Sequence, residues 1–204
     1  SENFNQNIEQ YSKIIINKSN RLNDLINDLI FDSKVSSGNI QLDMEKIDIN
    51  AFLIQVIQEF EDKLKEKELK IIFENKAKNT IIKADGSQLY RVFQNLFSNI
   101  YKYSLENSRV YIDLENSKSK LYIIMKNIQK EKLEVNVESL TDRFVRGNIS
   151  RSTEGFGLGL SIAENLIKSM GGKLNIISQK DEFITKIVFL LMITQMLFVI
   201  FATL

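Results

Sequence analysis

Asn95 and Asn99 stand four residues apart in the apolar-periodic stretch RVFQNLFSNIYKYS, Arg91 to Ser104. That spacing puts both on one helix face, with Lys102 a turn further along and Tyr103 beside it. Val92, Phe93, Leu96 and Ile100 supply the core side. A carboxamide oxygen is a hard, neutral ligand that suits Mg²⁺, which keeps several waters and takes other oxygens from substrate phosphates. Lysine adds a point charge for a phosphate. The chain is rich in Asn, Lys and Ile, so an asparagine pair alone also fits a plain solvated face. The whole pattern NLFSNIYKYS is far harder to reach by chance.

A second constellation is EGFGLGLSIAENLIKSMGG, Glu154 to Gly172. Gly155, Gly157 and Gly159 alternate, and Leu160, Ile162, Ala163, Leu166 and Ile167 follow with helical spacing. This reads as a glycine loop feeding the first turn of a helix. Glycine permits close backbone approach, and a helix start offers unpaired N–H groups and the positive dipole end. Together they make an anion site, most naturally for a phosphate chain. The plain alternative is a flexible loop capped by a core helix. The dinucleotide fingerprint fits poorly, since the residues before the glycines, GNISRSTE, are polar and not a strand. No GK[ST] motif is present.

These stretches need a scaffold. The 204 residues suffice for one core of about 150 residues plus an appendage. With 44% hydrophobic and 26% charged residues the composition is globular. A net charge of +1 gives no nucleic-acid signal. The chain has no cysteine, which excludes disulfides and thiolate metal sites, and no histidine, which removes the commonest general base. Starting at Ser1 without a signal-peptide pattern, it reads as an excised fragment.

Asn3 to Ser37 reads as a long amphipathic helix with apolar residues at Ile8, Tyr11, Ile15, Leu22, Leu25 and Leu29. Ile14, Ile16, Ile26 and Ile30 widen the stripe as a four-helix bundle needs, so a partner is expected; packing on the following domain is the alternative. Gly38-Asn39 ends it. A strand is expected over Ile40–Ile47, then a helix capped by Asp48 or Asn50 and running to about Glu68. Strands are expected over Leu69–Glu74 and Thr80–Ala84, a helix over Ser87–Ser104, and a hairpin over Arg109–Glu115 and Lys120–Lys126. Periodicity fades over 128–156 apart from LTDRF, a length of irregular chain that is usually functional. The glycine-loop helix and strands over Lys173–Ser178 and Phe183–Leu190 complete an α+β chain: a two-layer α/β sandwich with a largely antiparallel sheet.

NLFSNIYKYS resembles the N box of sensor histidine kinases of two-component systems, within the gyrase, Hsp90, kinase and mismatch-repair ATPase superfamily. TDRFVRG, Thr141 to Gly147, resembles their F box, and GFGLGL, Gly155 to Leu160, their second glycine box. Order and spacing match as well. Arg21 to Ile47 looks like the second helix of the dimerisation domain and its junction to the ATP-binding domain. The resemblance implies residues 1–38 as dimerisation helix and 39–190 as ATP-binding domain; 191–204 is an apolar tail with which the family does not normally continue.

The roles that the resemblance implies follow by position. Asn99 would hold Mg²⁺, with Asn95 beside it near the phosphates of ATP. Lys102 and Tyr103 would lie along the phosphate and ribose. Phe144 would anchor a mobile lid over 128–156, and Arg146 would reach a phosphate. The backbones of Gly155, Gly157, Leu158 and Gly159 would wrap the triphosphate. The γ-phosphate would pass to a histidine outside this chain and on to a response regulator. The expected assembly is a homodimer through the N-terminal helix, in the cytoplasmic part of a membrane-anchored bacterial protein. One departure stands out. The family's first glycine box, DxGxG, is replaced by MKNIQKEKLEV. By this reading Lys126 takes the place of the aspartate that accepts from the adenine amino group, and an ammonium has donors only. Asn127 could accept through its carbonyl oxygen. Weak nucleotide binding is the expectation, with a non-enzymatic pseudokinase and an anti-sigma-type serine kinase as the other readings. The apolar run 187–204 reaches the lower limit of a membrane span, but a last strand is needed over Phe183–Leu190.

Overall fold

The computed structural model describes residues 2–131 and 158–192. Phe144, Arg146, Gly155 and Gly157, almost all of the expected lid, and the tail from 193 on lie outside the described residues.

Helix α1, Glu2–Ser36, ends where Gly38 takes φ +71°. The Gly38 and Asn39 N–H groups donate to Val35 O and Lys34 O at 3.0 and 2.9 Å, closing the last turn. Strand β1 is shorter than expected, Glu45–Asp48. Its antiparallel partner β3, Ile81–Ala84, has only four residues, so the ladder stops there. Ile40, Leu42 and Met44 reach the core as half-buried extended chain instead.

Helix α2, Ile49–Lys65, starts at Asp48, whose carboxylate accepts from Asn50 N at 3.0 Å and Thr80 Oγ1 at 2.7 Å. Helix α3, Gly86–Tyr103, packs on it. Phe60 stacks on Phe97 at 4.9 Å and Phe52 tilts against Phe93 at 5.9 Å between ring centroids. Phe93 and Phe97 are fully buried, each stabilising by about 1.5–3 kcal/mol.

A five-stranded sheet carries the helices. Its strands are β2, Lys70–Asn75; β4, Arg109–Asn116; β5, Lys120–Ile128; β6, Lys173–Gln179; and β7, Glu182–Leu190. The order is β2-β4-β5-β7-β6, with β2 and β4 parallel and every other pair antiparallel. Helix α4, Gly159–Ser169, lies beside α3. Val110, Ile112, Leu114, Leu121, Ile123, Met125, Ile187 and Phe189 form the buried, helix-covered face. Tyr111, Tyr122, Lys126 and Lys186 lie on the opposite, half-open face. The α+β two-layer sandwich is as expected, and Glu182–Leu190 is its strand rather than the start of a helix.

Candidate functional site

The site begins with how α3 starts. Asp85 is 5% exposed and caps the helix. Burial pushes its carboxyl up. The Gln88 N–H at 3.0 Å, the Ser87 hydroxyl at 2.7 Å and the Asp43 N–H at 2.9 Å outweigh that, holding it below the usual carboxylate range. Asp85 thus ties α3 to the chain leaving α1. From that fixed start, the 3.6-residue period puts Leu89, Val92, Phe93, Leu96 and Ile100 inward, while Asn95, Asn99 and Lys102 are half-buried at the edge. Tyr103 is half-buried too, and its carbonyl accepts from Lys130 N at 3.0 Å.

Helix α4 meets α3 at its own first residue. Leu158, its cap, is 2% exposed and anchors the turn, but no side chain among the described residues caps the helix. The Ser161 hydroxyl, which could have served, donates instead to Leu158 O at 2.9 Å. Among the described residues the first-turn N–H groups, at the positive end of the dipole, have no side-chain acceptor, which is what an anion requires. Gly159 sits against Asn95: a Cβ built there would lie 3.3 Å from Asn95 Oδ1. The asparagine carboxamide and the start of α4 are therefore in close contact.

Asn99 carries an unpaired atom. Its Nδ2, like Gln88 Oε1 near the start of α3, is buried with no hydrogen-bond partner among the described residues. A buried orphan of this kind is costly and calls for an outside ligand. Which end of a carboxamide is oxygen is an assigned choice, so the group offers one open polar position either way. Among the described residues no cluster of three or more acidic side chains could hold a metal ion. Asn99 fits Mg²⁺ only as one neutral ligand beside phosphate oxygens.

At the end of β5 the structure corrects the reading of Lys126. Strand parity puts Leu121, Ile123, Met125 and Asn127 on the helix side and Lys126 on the other. Lys126 lies 3.9 Å from Glu182 and 5.2 Å from the Tyr111 ring centroid, away from α3 and α4. Asn127 takes the inward place. It is 4% exposed, and its Nδ2 donates to Ser104 Oγ at 2.9 Å. Its Oδ1 has no hydrogen-bond partner among the described residues. The alternation along β5 was the signal that could have settled this.

Two side chains escaped the sequence reading altogether. Ser104, fully buried, is the C-cap of α3 and the partner of Asn127. Thr185, 5% exposed, lies on β7 opposite Met125, on the same face as Asn127. A third feature is the seat of α1 on the domain, where its last turns pack as the alternative reading of that helix expects. Arg91 on α3 pairs with Asp28 at 2.8 Å and lies over the Phe31 ring at 3.5 Å. Asn165 on α4 donates to the buried Asp32 at 2.8 Å. The end of α1 thus touches both helices of the site. Further back, Tyr11, Ile15, Leu22 and Leu29 remain exposed within the single chain.

Residues 84–195 match the histidine kinase-, DNA gyrase B-, and HSP90-like ATPase family, and the chain belongs to it. Within that family it is the ATP-binding domain of a two-component sensor histidine kinase. It is 31% identical over 187 residues to the probable sensor protein PcoS of Escherichia coli, covering 89% of this chain and 40% of that protein. It thus spans less than half of that relative. Among solved structures it is similar to the Acinetobacter baumannii histidine kinase AdeS, with a TM-score of 0.71, 22% identity, and 88% and 83% of the two chains covered. The histidine kinase ThkA, solved in complex with the response regulator protein TrrA, matches with a TM-score of 0.71 and 22% identity over 90% of this chain and 51% of that one.

Proposed function

We propose that this chain is the catalytic ATP-binding region of a sensor histidine kinase. It presents the γ-phosphate of ATP to a histidine outside the chain, for relay to a response regulator. The carrying observation is the junction of α3 and α4, where Asn95 touches Gly159 and, among the described residues, Asn99 keeps a buried unpaired amide atom and the α4 N-terminus has no side-chain cap.

The residues divide the work by chemistry. Leu158 and Gly159, with Gly155 and Gly157 before them, offer backbone N–H groups to the phosphate chain. Asn95 and Lys102 add a donor and a charge, and Tyr103 borders the ribose side. Asn99 supplies one ligand to Mg²⁺, whose contribution when bound is to neutralise phosphate charge. Asn127 offers its Oδ1 to the adenine amino group. Phe144 pins the lid and Arg146 reaches a phosphate. The phosphoryl group leaves the β-phosphate oxygen, which departs with ADP, and bonds to the acceptor nitrogen. The chain stabilises that transfer by position and field rather than by covalent chemistry.

The uncovered stripe of α1 supports pairing with a second copy in a helical bundle, since one helix cannot bury it. The TrrA complex of ThkA supports a response regulator as the partner. A membrane-anchored parent with this region in the cytoplasm fits the sensor relatives. Calorimetric titration with a non-hydrolysable ATP analogue and Mg²⁺ tests the proposal. Asn99→Ala should abolish the Mg²⁺ dependence and weaken binding by roughly tenfold or more, as the loss of a contact to a charged ligand does. It should not lower the melting temperature, since it removes an unpaired buried atom. Absence of heat at millimolar nucleotide would favour a pseudokinase.

A further inference from the structure

We infer that this chain reads its purine base without fixed hydrogen-bond polarity, accepting 6-oxopurine nucleotides as well as 6-aminopurine ones, with Asn127 as the deciding residue. The inference rests on the nucleotide site proposed above.

The polar groups on the helix side of the sheet at this end are few. Asn127 is 4% exposed and Thr185 5% exposed, and Ser104 is fully buried. Gln129, one alternation beyond Asn127 and 9% exposed, is a further neutral carboxamide whose Oε1 accepts from Ser178 Oγ at 3.3 Å, and apolar Met125 and Ile187 lie beside these groups. Lys126 and Glu182, the nearest charges in sequence, pair on the opposite face. No fixed charge of β5 or β7 therefore dictates which way a base edge must present itself.

A carboxylate in Asn127's place would only accept. It would pair with an exocyclic amine and repel a 6-oxo group. A carboxamide has both characters. With Nδ2 donating to Ser104 Oγ at 2.9 Å, Oδ1 remains to accept from a 6-amino group. Turned over about χ2, the same carboxamide takes a bond from the Ser104 hydroxyl on Oδ1 and offers Nδ2 to a 6-oxo group. Ser104 allows both because a hydroxyl donates or accepts as needed. The Thr185 hydroxyl has the same freedom toward position 1, an acceptor in adenine and an N–H in hypoxanthine. Neither arrangement leaves a buried group unpaired. Unpaired buried groups are what make discrimination at polar sites large, so their absence here makes it small.

The test compares ADP with inosine diphosphate, whose bases differ only at position 6 and the linked N1 proton. Each is titrated calorimetrically, with Mg²⁺, into the 204-residue chain. The expected dissociation constants lie within about tenfold of each other. In Asn127→Asp the preference for ADP should widen to roughly a hundredfold or more, as inosine diphosphate meets an unpaired carboxylate. A wild-type preference for ADP above about a hundredfold overturns the inference while leaving the nucleotide site standing. An Asn127→Asp ratio equal to that of wild type removes the role from Asn127. Failure of ADP itself to bind at millimolar concentration overturns the site and the inference together. The wild-type ratio decides without the variant, so the test survives an Asn127→Asp chain that does not fold.

Discussion

Replacing Gly159 by alanine separates binding from folding at the junction of α3 and α4. The new methyl would lie 3.3 Å from Asn95 Oδ1, 3.7 Å from its Cγ and 3.8 Å from its Cβ. Only the first is tight, and a shift of a few tenths of an ångström relieves it. Gly159 is helical, so alanine adopts its backbone freely and gains up to about 1 kcal/mol of helix propensity. Crowding and propensity nearly cancel. Stability should stay within about 1 kcal/mol of wild type, or roughly 2–4 °C in melting temperature for a chain of this size. Binding is another matter. The methyl displaces Asn95 and stands beside the N–H groups that would meet the phosphates. Loss of one charge-assisted hydrogen bond costs about 1.5–3 kcal/mol, a weakening of roughly tenfold to a hundredfold. Thermal unfolding by circular dichroism and calorimetric titration with Mg-ADP measure the two quantities. A melting temperature more than about 10 °C lower would make Gly159 a packing residue first. Unchanged affinity in a normally folded Gly159→Ala chain would refute the placement of phosphates at the α4 N-terminus.

Lys126→Ala should leave nucleotide affinity within about twofold, because that side chain lies on the far face of the sheet with Glu182; a tenfold change in the same titration would put it in the site. Asp85 contributes stability that is present above the ordinary carboxylate pKa of about 3.9 and is lost as pH falls through its lowered folded value. Asp85→Asn should therefore be less stable than wild type at neutral pH, with the gap closing in acid. Denaturant unfolding at a series of pH values checks this, and a gap that widens on acidification would contradict the sign.

The helices and strands were legible because burial is one-sided. The hydrophobic period of Arg91–Ser104 named the inward residues of α3, and the alternation of Lys120–Lys126 named a strand. The same alternation also fixed which of Lys126 and Asn127 faces inward, and there the sequence reading went astray by one residue. A match to a motif aligns letters, whereas a strand sorts side chains by parity, and a shift of one reverses the face. Strand β1 came out short for a reason no local pattern contains: its partner β3 offers only four residues. Ser104 and Thr185 went unnoticed because a lone hydroxyl has no periodic signature; only the fold brings Ser104 to Asn127. Which residues seat α1 on α3 and α4 was equally hidden, since Asp28–Arg91 and Asp32–Asn165 join residues far apart in the chain.

The most direct test of the proposed site is to follow backbone and side-chain amide resonances of the chain while Mg-ADP is added. The perturbations should concentrate on the carboxamides of Asn95, Asn99 and Asn127 and on the backbone N–H groups of Leu158, Gly159, Leu160 and Ser161. The exposed stripe of α1 around Ile15 and Leu22 should stay unmoved. Spectra unchanged at millimolar nucleotide, or shifts centred on α1 with those three asparagines silent, would contradict a nucleotide site between α3 and α4.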